Sequence, residues 1–403
     1  MTVTEERTAA STEAIGGVGT SPPRKEDAHL ITGQSNWTDN IRAAGMLTMA
    51  FVRSPVAHAR IRGIDASEAE AVPGVVAVFT GADLVDECPT LPCAWPVTED
   101  MKLPAHPPIA VDTVRHAGDP VAVVVARDRY TAADAAERVV VDYEPLPAVI
   151  ELEDALRDEV LVHEELGTNK TYFFSMPTGA DIDETFARAD VVVKRRFVQQ
   201  RLLPTPLEPR ATACIPQAAN GEVTLYSSTQ VPHILRLMLA ATTGIPEQKI
   251  RVVAPDVGGG FGAKLQVTGE EVASVLVARR LGRPVKWTET RSEQYLTMHH
   301  GRGQIQDIEI AATSDGRLLG LKVDLIADMG AYLMLVTPGV PVLGAFMFPA
   351  IYKMDAYRFN CTGVFTTKTP TDAYRGAGRP EATFAIERIM DELAVELGME
   401  PME

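Results

Sequence analysis

The stretch Val257-Gly258-Gly259-Gly260-Phe261-Gly262-Ala263-Lys264 packs four glycines between an apolar run, Ile250–Val253, and a helical pattern over Gly269–Leu281. Glycines there let backbone N–H groups approach a ligand closely, and a helix N-terminus favours an anion. The spacing Gly258-x-Gly260-x-x-Ala263 also fits a dinucleotide-binding fingerprint. That reading needs the helix to open at the glycines and an acidic ribose-binding residue about twenty positions on. Arg279-Arg280 stand there, which suits at best a phosphorylated ribose. A tight turn between packed elements accounts for the glycines equally well.

A second constellation is Thr369-Pro370-Thr371-Asp372-Ala373-Tyr374-Arg375-Gly376-Ala377-Gly378-Arg379-Pro380-Glu381. Two arginines and two glycines lie in a loop, with Pro380 suited to the first turn of a following helix. Arginine beside a helix N-terminus fits phosphate or another anion; a solvated surface turn is the plainer alternative. The cysteines are Cys88, Cys93, Cys214 and Cys361. Cys88-x4-Cys93 has the opening spacing of an iron–sulfur ligand set, but Pro96 occupies the position of the next ligand. Four scattered cysteines point to a reducing compartment, so the cytoplasm is expected.

The elements that must position these loops follow from the pattern of apolar residues. Strands are expected at Met46–Ser54, Val75–Phe79, Pro120–Ala126, Val139–Tyr143, Val191–Gln199, Glu222–Ser227, Ile250–Val253, Pro284–Thr288, Gln304–Ala311 and Leu318–Ala327. Helices are expected at Ser67–Ala71, Thr131–Val140, Pro232–Thr243, Gly269–Leu281 and Pro380–Leu397. Six prolines between Glu87 and Pro108 mark a long loop. The alternation indicates an α/β (α+β) chain. We expect a flexible leader over residues 1–21, a first domain over 22–150, a polar connector over 151–169 and a second domain over 170–403. At 403 residues, two or three domains with sizeable cores are expected. The net charge of −16 repels phosphate backbones, which argues against nucleic-acid binding. Glu5 and Glu6 stand where a signal peptide would carry positive charge, and no long apolar run suggests a membrane span.

The two loops do not stand alone. With Ser228-Thr229-Gln230-Val231-Pro232-His233, Pro206-Leu207-Glu208-Pro209-Arg210 and Arg53-Ser54-Pro55-Val56-Ala57-His58-Ala59-Arg60 they resemble, in order and spacing, the signature set of the molybdenum hydroxylases. That family comprises xanthine dehydrogenase, aldehyde oxidase and aerobic carbon monoxide dehydrogenase, and the resemblance runs from about Pro22 to the last residue. It implies an α/β hammerhead domain followed by the first half of a molybdopterin-binding domain. It also implies a molybdenum–molybdopterin cofactor, in the plain or the cytosine dinucleotide form, with no protein ligand to the metal. In the family a metal-bound hydroxide attacks an electron-poor carbon of an aldehyde or N-heterocycle, hydride passes to a sulfido ligand, and water supplies the oxygen. Electrons leave through [2Fe–2S] clusters to FAD on partner subunits. Gln230 then matches the glutamine that hydrogen-bonds the apical oxo ligand. Gly260, Phe261 and Gly262 match the loop approaching metal and cofactor, and Arg375 matches the arginine beside the molybdenum. Glu208 lies in a family motif, and a structural ion pair suits it as well as any role at the site.

The departures are informative. Carbon monoxide-oxidising members hold copper on a cysteine where Gly376 stands here, so no copper is expected. Xanthine-type enzymes have phenylalanine at the position of Ala377, glutamate at that of Leu265 and arginine near Leu343. Those three positions imply a roomier, less polar substrate pocket. The family's Gly-Gln-Gly cofactor loop and catalytic glutamate belong to a second half, so no catalytic base is expected in this chain. Leu397–Glu403 stop inside a stretch that continues in the family. The chain is therefore expected to work with a separate C-terminal molybdopterin-binding half, an iron–sulfur subunit and an FAD subunit. The alternative is a truncated, non-catalytic remnant or scaffold that binds no cofactor.

Overall fold

The computed structural model describes residues 17–217 and 219–402. Of the expected leader only residues 17–21 are described, and they are exposed. Two compact units divide the chain, Met1–Asn36 and Trp37–Glu403. The first carries the short helix Asp27–Ile31, where Arg24 Nε donates to Asp27 Oδ1 at 2.7 Å.

The second unit holds all the strands found among the described residues. In chain order they are β1 (Leu47–Arg53), β2 (Ala59–Asp65), β3 (Val75–Thr80), β4 (Thr113–Val114), β5 (Pro120–Ala126), β6 (Val140–Pro145), β7 (Lys170–Gly179) and β8 (Val191–Leu202). There follow β9 (Ala211–Gln217), β10 (Glu222–Ser227), β11 (Ile250–Val253), β12 (Val285–Thr288), β13 (Gly301–Ala312), β14 (Leu318–Gly330) and β15 (Ala356–Phe365). They form three sheets, ordered β11-β10-β9-β12-β1-β5-β3, β7-β15-β14-β13-β8 and β4-β2-β6. The first sheet takes strands from both sides of the expected 150/170 boundary. Its joint is the parallel pairing of β1 with β12, Leu47 opposite Val285.

Strand β5 shows why the first sheet is stable. It is a nearly unbroken run of valines and alanines, as expected for a strand covered on both faces. Val124 packs with Ala69 and Ala135, while Val123 and Val125 face the core around the Gly269–Leu281 helix. Each fully buried valine contributes about 1.5–3 kcal/mol. That helix is buried from Gly269 through Ala278, carboxylates included. Thr268 caps it by accepting from the Glu271 N–H, and Glu271 answers by accepting the Thr268 N–H at 2.9 Å.

The second sheet carries the other large core. The β13–β14 hairpin turns at Gly316, and the Arg379–Leu397 helix lays Ala382, Ala385, Ile386, Ile389 and Leu393 into that core beside β8 and β13. Pro232–Thr243 and Gly269–Leu281 fall where their patterns placed them. The helix expected at Thr131–Val140 instead runs Arg129–Ala136, because Asp128 caps it and Val140 already belongs to β6. The stretch expected as a polar connector is packed. Leu152, Ala155 and Val162 join the second core, and the buried Asn169 amide donates to the Ala155 and Val160 carbonyls.

Candidate functional site

Three loops meet at the expected residues. The first leaves β10 through Ser228 and Thr229, and enters the next helix at Pro232 after Gln230 and Val231. Its anchor is a pair of contacts to the glycine loop: the Gln230 N–H donates to the Lys264 carbonyl at 2.8 Å, and Thr229 Oγ1 donates to the same oxygen. Gln230 Oε1 in turn accepts the amides of Gly262 at 2.9 Å and Lys264 at 3.3 Å. A Cβ on Gly260 would lie 2.4 Å from that Oε1, so this close approach needs glycine.

The glycine loop is stapled from below by Glu208. Its Oε2 accepts the Gly258 N–H and the Lys264 ammonium, each at 2.8 Å. Lys264 is 3% exposed, and burial pushes its pKa below the ordinary value against the pull of Glu208. Phe261 sits at φ +56°, a left-handed backbone rare for a bulky residue, and is 43% exposed.

The third loop is set by Asp372. Its N–H donates to the His300 carbonyl, and its Oδ2 accepts Thr337 Oγ1 at 2.9 Å and the Val336 amide at 3.0 Å. His299 Nε2 lies 3.0 Å from the Ala373 oxygen. Burial lowers the pKa of this histidine, which favours the neutral ring. The Arg375 N–H then donates to the Phe261 carbonyl at 2.9 Å, joining the third loop to the glycine loop.

Gln230, Gly260, Phe261, Gly262 and Arg375 are thus brought together. Ala377 lies in the same loop at φ +46°, its N–H donating to the Tyr374 carbonyl. Leu265 follows the glycines, its amide on the Gly262 carbonyl and its side chain against the first core. Leu343 stands on the helix Gly339–Ala345, which lies against the third loop where a Cβ on Gly344 would be 3.0 Å from the Gly378 oxygen.

The side of the glycine loop away from Glu208 presents donors, while beneath it Glu208 Oε1 is buried without a partner. Among the described residues, the amides of Gly259, Gly260 and Phe261, the Gln230 Nε2 and the exposed Arg375 guanidinium have no acceptor. Backbone amides in sequence with an arginine and a neutral amide suit a ligand rich in oxygen and negative charge.

Residues 162–403 match the family described as molybdopterin cofactor-binding domain, and residues 32–147 match the aldehyde oxidase and xanthine dehydrogenase a/b hammerhead domain. The chain belongs to the molybdenum hydroxylase family. It is 37% identical to the 6-hydroxypseudooxynicotine dehydrogenase complex subunit gamma of Paenarthrobacter nicotinovorans, over 96% of this chain and 49% of that one. Identity with the carbon monoxide dehydrogenase large chain of Hydrogenophaga pseudoflava is 38%, over 97% of this chain and 50% of the relative. The structure of quinoline 2-oxidoreductase from Pseudomonas putida 86 superposes with a TM-score of 0.91 at 37% identity, covering 95% of this chain and 49% of that one. The chain spans about half the length of these relatives. Among the described residues no helix is long and apolar enough to cross a membrane.

Sequence reasoning missed a buried charge cluster. Arg210 and Arg53 share the Glu270 carboxylate, Arg210 also pairs with Glu289, and Arg53 with Glu293. Burial alone would raise the Glu270 pKa, but the two guanidiniums outweigh it and hold the carboxyl down to about 2. The signal was present: Arg53 and Arg210 both stand in the motifs that carried the resemblance.

Proposed function

We propose that this chain holds one side of a molybdenum–molybdopterin cofactor, in the plain or cytosine dinucleotide form, within a cytoplasmic hydroxylase complex. A second molybdopterin-binding half, an iron–sulfur subunit and an FAD subunit complete that complex. Residues 22–150 serve as the hammerhead domain and 170–403 as the first molybdopterin-binding domain, joined by 151–169. The observation that carries the reading is the donor set formed by Gln230, the amides of 259–261 and Arg375. The cofactor, when bound, supplies the two-electron oxidation that places a water-derived oxygen on an aldehyde or N-heterocycle carbon. Gln230 would help hold that group through its Nε2 donor, while its Oε1 is committed to the loop amides. Arg375 offsets the anionic charge. Phe261 shapes the wall, and the positions of Leu265, Leu343 and Ala377 carry neither charge nor hydrogen-bonding side chains, which suits an N-heterocycle such as the quinoline named for the solved relative better than a purine.

The test compares molybdenum content and single-turnover rate in the assembled enzyme. Gln230→Ala is expected to keep its molybdenum and lose rate by roughly tenfold to a hundredfold, since a charge-assisted hydrogen bond is worth about 1.5–3 kcal/mol. Arg375→Ala is expected to lower both quantities. If neither variant changes either quantity, the scaffold reading replaces this one.

A further inference from the structure

The start of β13 has a backbone rare in strands. Arg302 lies at φ +67° and Gly303 at +73°, so two successive residues occupy the left-handed region. A Cβ on the preceding Gly301 would come 2.4 Å from the Tyr374 Cβ, so the strand is pressed against the third loop at that point. A non-glycine residue keeps such a conformation only where its surroundings over-determine it, and such residues cluster at functional sites.

The contacts of Arg302 show what over-determines it. Its Nη1 donates to the Tyr374 carbonyl at 3.2 Å and its Nη2 to the Arg375 carbonyl at 3.0 Å. Nη1 also meets the Glu381 carboxylate at 3.2 Å, and the guanidinium lies 4.8 Å from the centre of the Tyr374 ring. Glu381 is 1% exposed and sits in the first turn of the Arg379–Leu397 helix, a rigid part of the second core. Its other oxygen, Oε2, is buried without a partner, so the carboxylate depends on Arg302 for its charge balance. One planar fork therefore ties two consecutive carbonyls of the loop to a fixed helix. It does so at the residue whose own side chain points a free cation outward.

We infer that Arg302 is a positioning residue, the clamp that holds Arg375 in place for an anionic ligand. The inference rests on the cofactor reading above for the identity of that ligand, but the clamp itself is a statement about loop order. Without Arg302 the Arg375 amide would still have the Phe261 carbonyl to bond. The loop would keep that bond, Asp372 and the His299 contact to Ala373, but the carbonyls of Tyr374 and Arg375 would lose their tie to the helix and the guanidinium would sample many positions.

The experiment measures three quantities on the assembled enzyme: amide exchange at Arg375 and Ala377, bound pterin by fluorescence after oxidative release, and the melting temperature. For Arg302→Met we expect exchange at those two amides to rise at least tenfold and bound pterin to fall several-fold, while amides of β14 keep the parental rate. Arg302→Lys should recover part of both losses, since it keeps the charge and one donor. Should Arg302→Met fail to fold, the pair Arg302→Gly with Glu381→Gln removes both buried charges and the left-handed strain together. It is expected to melt close to the parent yet show the same loosened loop and lost pterin. Parental exchange at Arg375 in these variants overturns the clamp, as does a rise spread equally over β14. The Arg375→Ala variant separates the two ideas. If it keeps full pterin, the cofactor reading falls while loop exchange still judges the clamp. If it loses pterin while the Arg302 variants keep theirs, the clamp alone falls.

Discussion

The ion pair beneath the glycine loop sets a large local energy. Lys264 Nζ and Glu208 Oε2 are 2.8 Å apart with side chains 1% and 16% exposed, and Glu208 also holds the Gly258 amide. Removing one partner of a buried pair leaves the other charge without water or counter-ion, at a cost of about 3–5 kcal/mol. Lys264→Met is thus expected to lower unfolding stability by that amount, and Glu208→Gln by a similar one. Changing both together should cost clearly less than the sum. Urea denaturation of the three variants checks this, and single losses under about 1 kcal/mol would mean that the pair is no staple. Gly376 makes a second prediction. It presents no thiolate; Cys88, Cys214 and Cys361 are buried, and the half-buried Cys93 packs against the second core, so the assembled enzyme should contain molybdenum without stoichiometric copper. Metal analysis giving one copper per molybdenum would refute it.

At the scale of elements, the site depends on how closely the loops approach one another. A Cβ on Gly262 would stand 2.3 Å from the Ala373 carbonyl oxygen, a backbone atom that cannot swing away, and φ there is +93°. Gly262→Ala should therefore push the second and third loops apart and strip cofactor from the assembled enzyme. Gly244 is the control: it caps its helix at φ +68° with nothing within 4 Å of a built Cβ. Gly244→Ala should cost only about 1 kcal/mol of left-handed strain and leave cofactor content alone. Equal cofactor in the two variants would show that the loop contact is dispensable. Loop contacts of this kind were only half legible in advance. The glycines marked the loop, and the strand before it and helix after it have clear periodicity. The partner carbonyl on Ala373 lies more than a hundred residues away.

The whole molecule carries a pH dependence. His163 is 1% exposed, its Nε2 2.7 Å from the Ala331 carbonyl, and burial lowers its pKa to about 4. Burial does the same to His300, also to about 4. In the unfolded chain both titrate near 6.5, so as pH falls the unfolded state takes protons that the native state refuses. Stability is then full above about pH 6.5 and is lost as pH falls toward 4, with His163 alone accounting for something on the order of 3 kcal/mol. Below the ordinary glutamate range Glu270 adds to the loss, because its folded carboxyl stays ionised down to about 2. Urea midpoints measured between about pH 7 and pH 5 should fall steadily, and His163→Gln should flatten the slope. A midpoint that stays level over that range would show these rings are not held neutral.

Local chemistry determined what the sequence alone could tell. Helix Gly269–Leu281 was legible from its periodicity, and the glycine and arginine loops from their composition. These signals act over a few residues of chain. The strands β7, β9 and β15 were not foreseen. Pro177 interrupts the first, Ala211, Ala213 and Pro216 dilute the second, and Arg358, Asn360 and Gly363 break the third, so their extended form comes from neighbours rather than from their own pattern. Only the tertiary structure decided that β1 lies between β12 and β5, that Arg53 meets Glu293 across 240 positions, and that Arg302 grips the carbonyl of Arg375. Such pairings are settled by burial and charge balance among groups distant in the chain, and no local period encodes them.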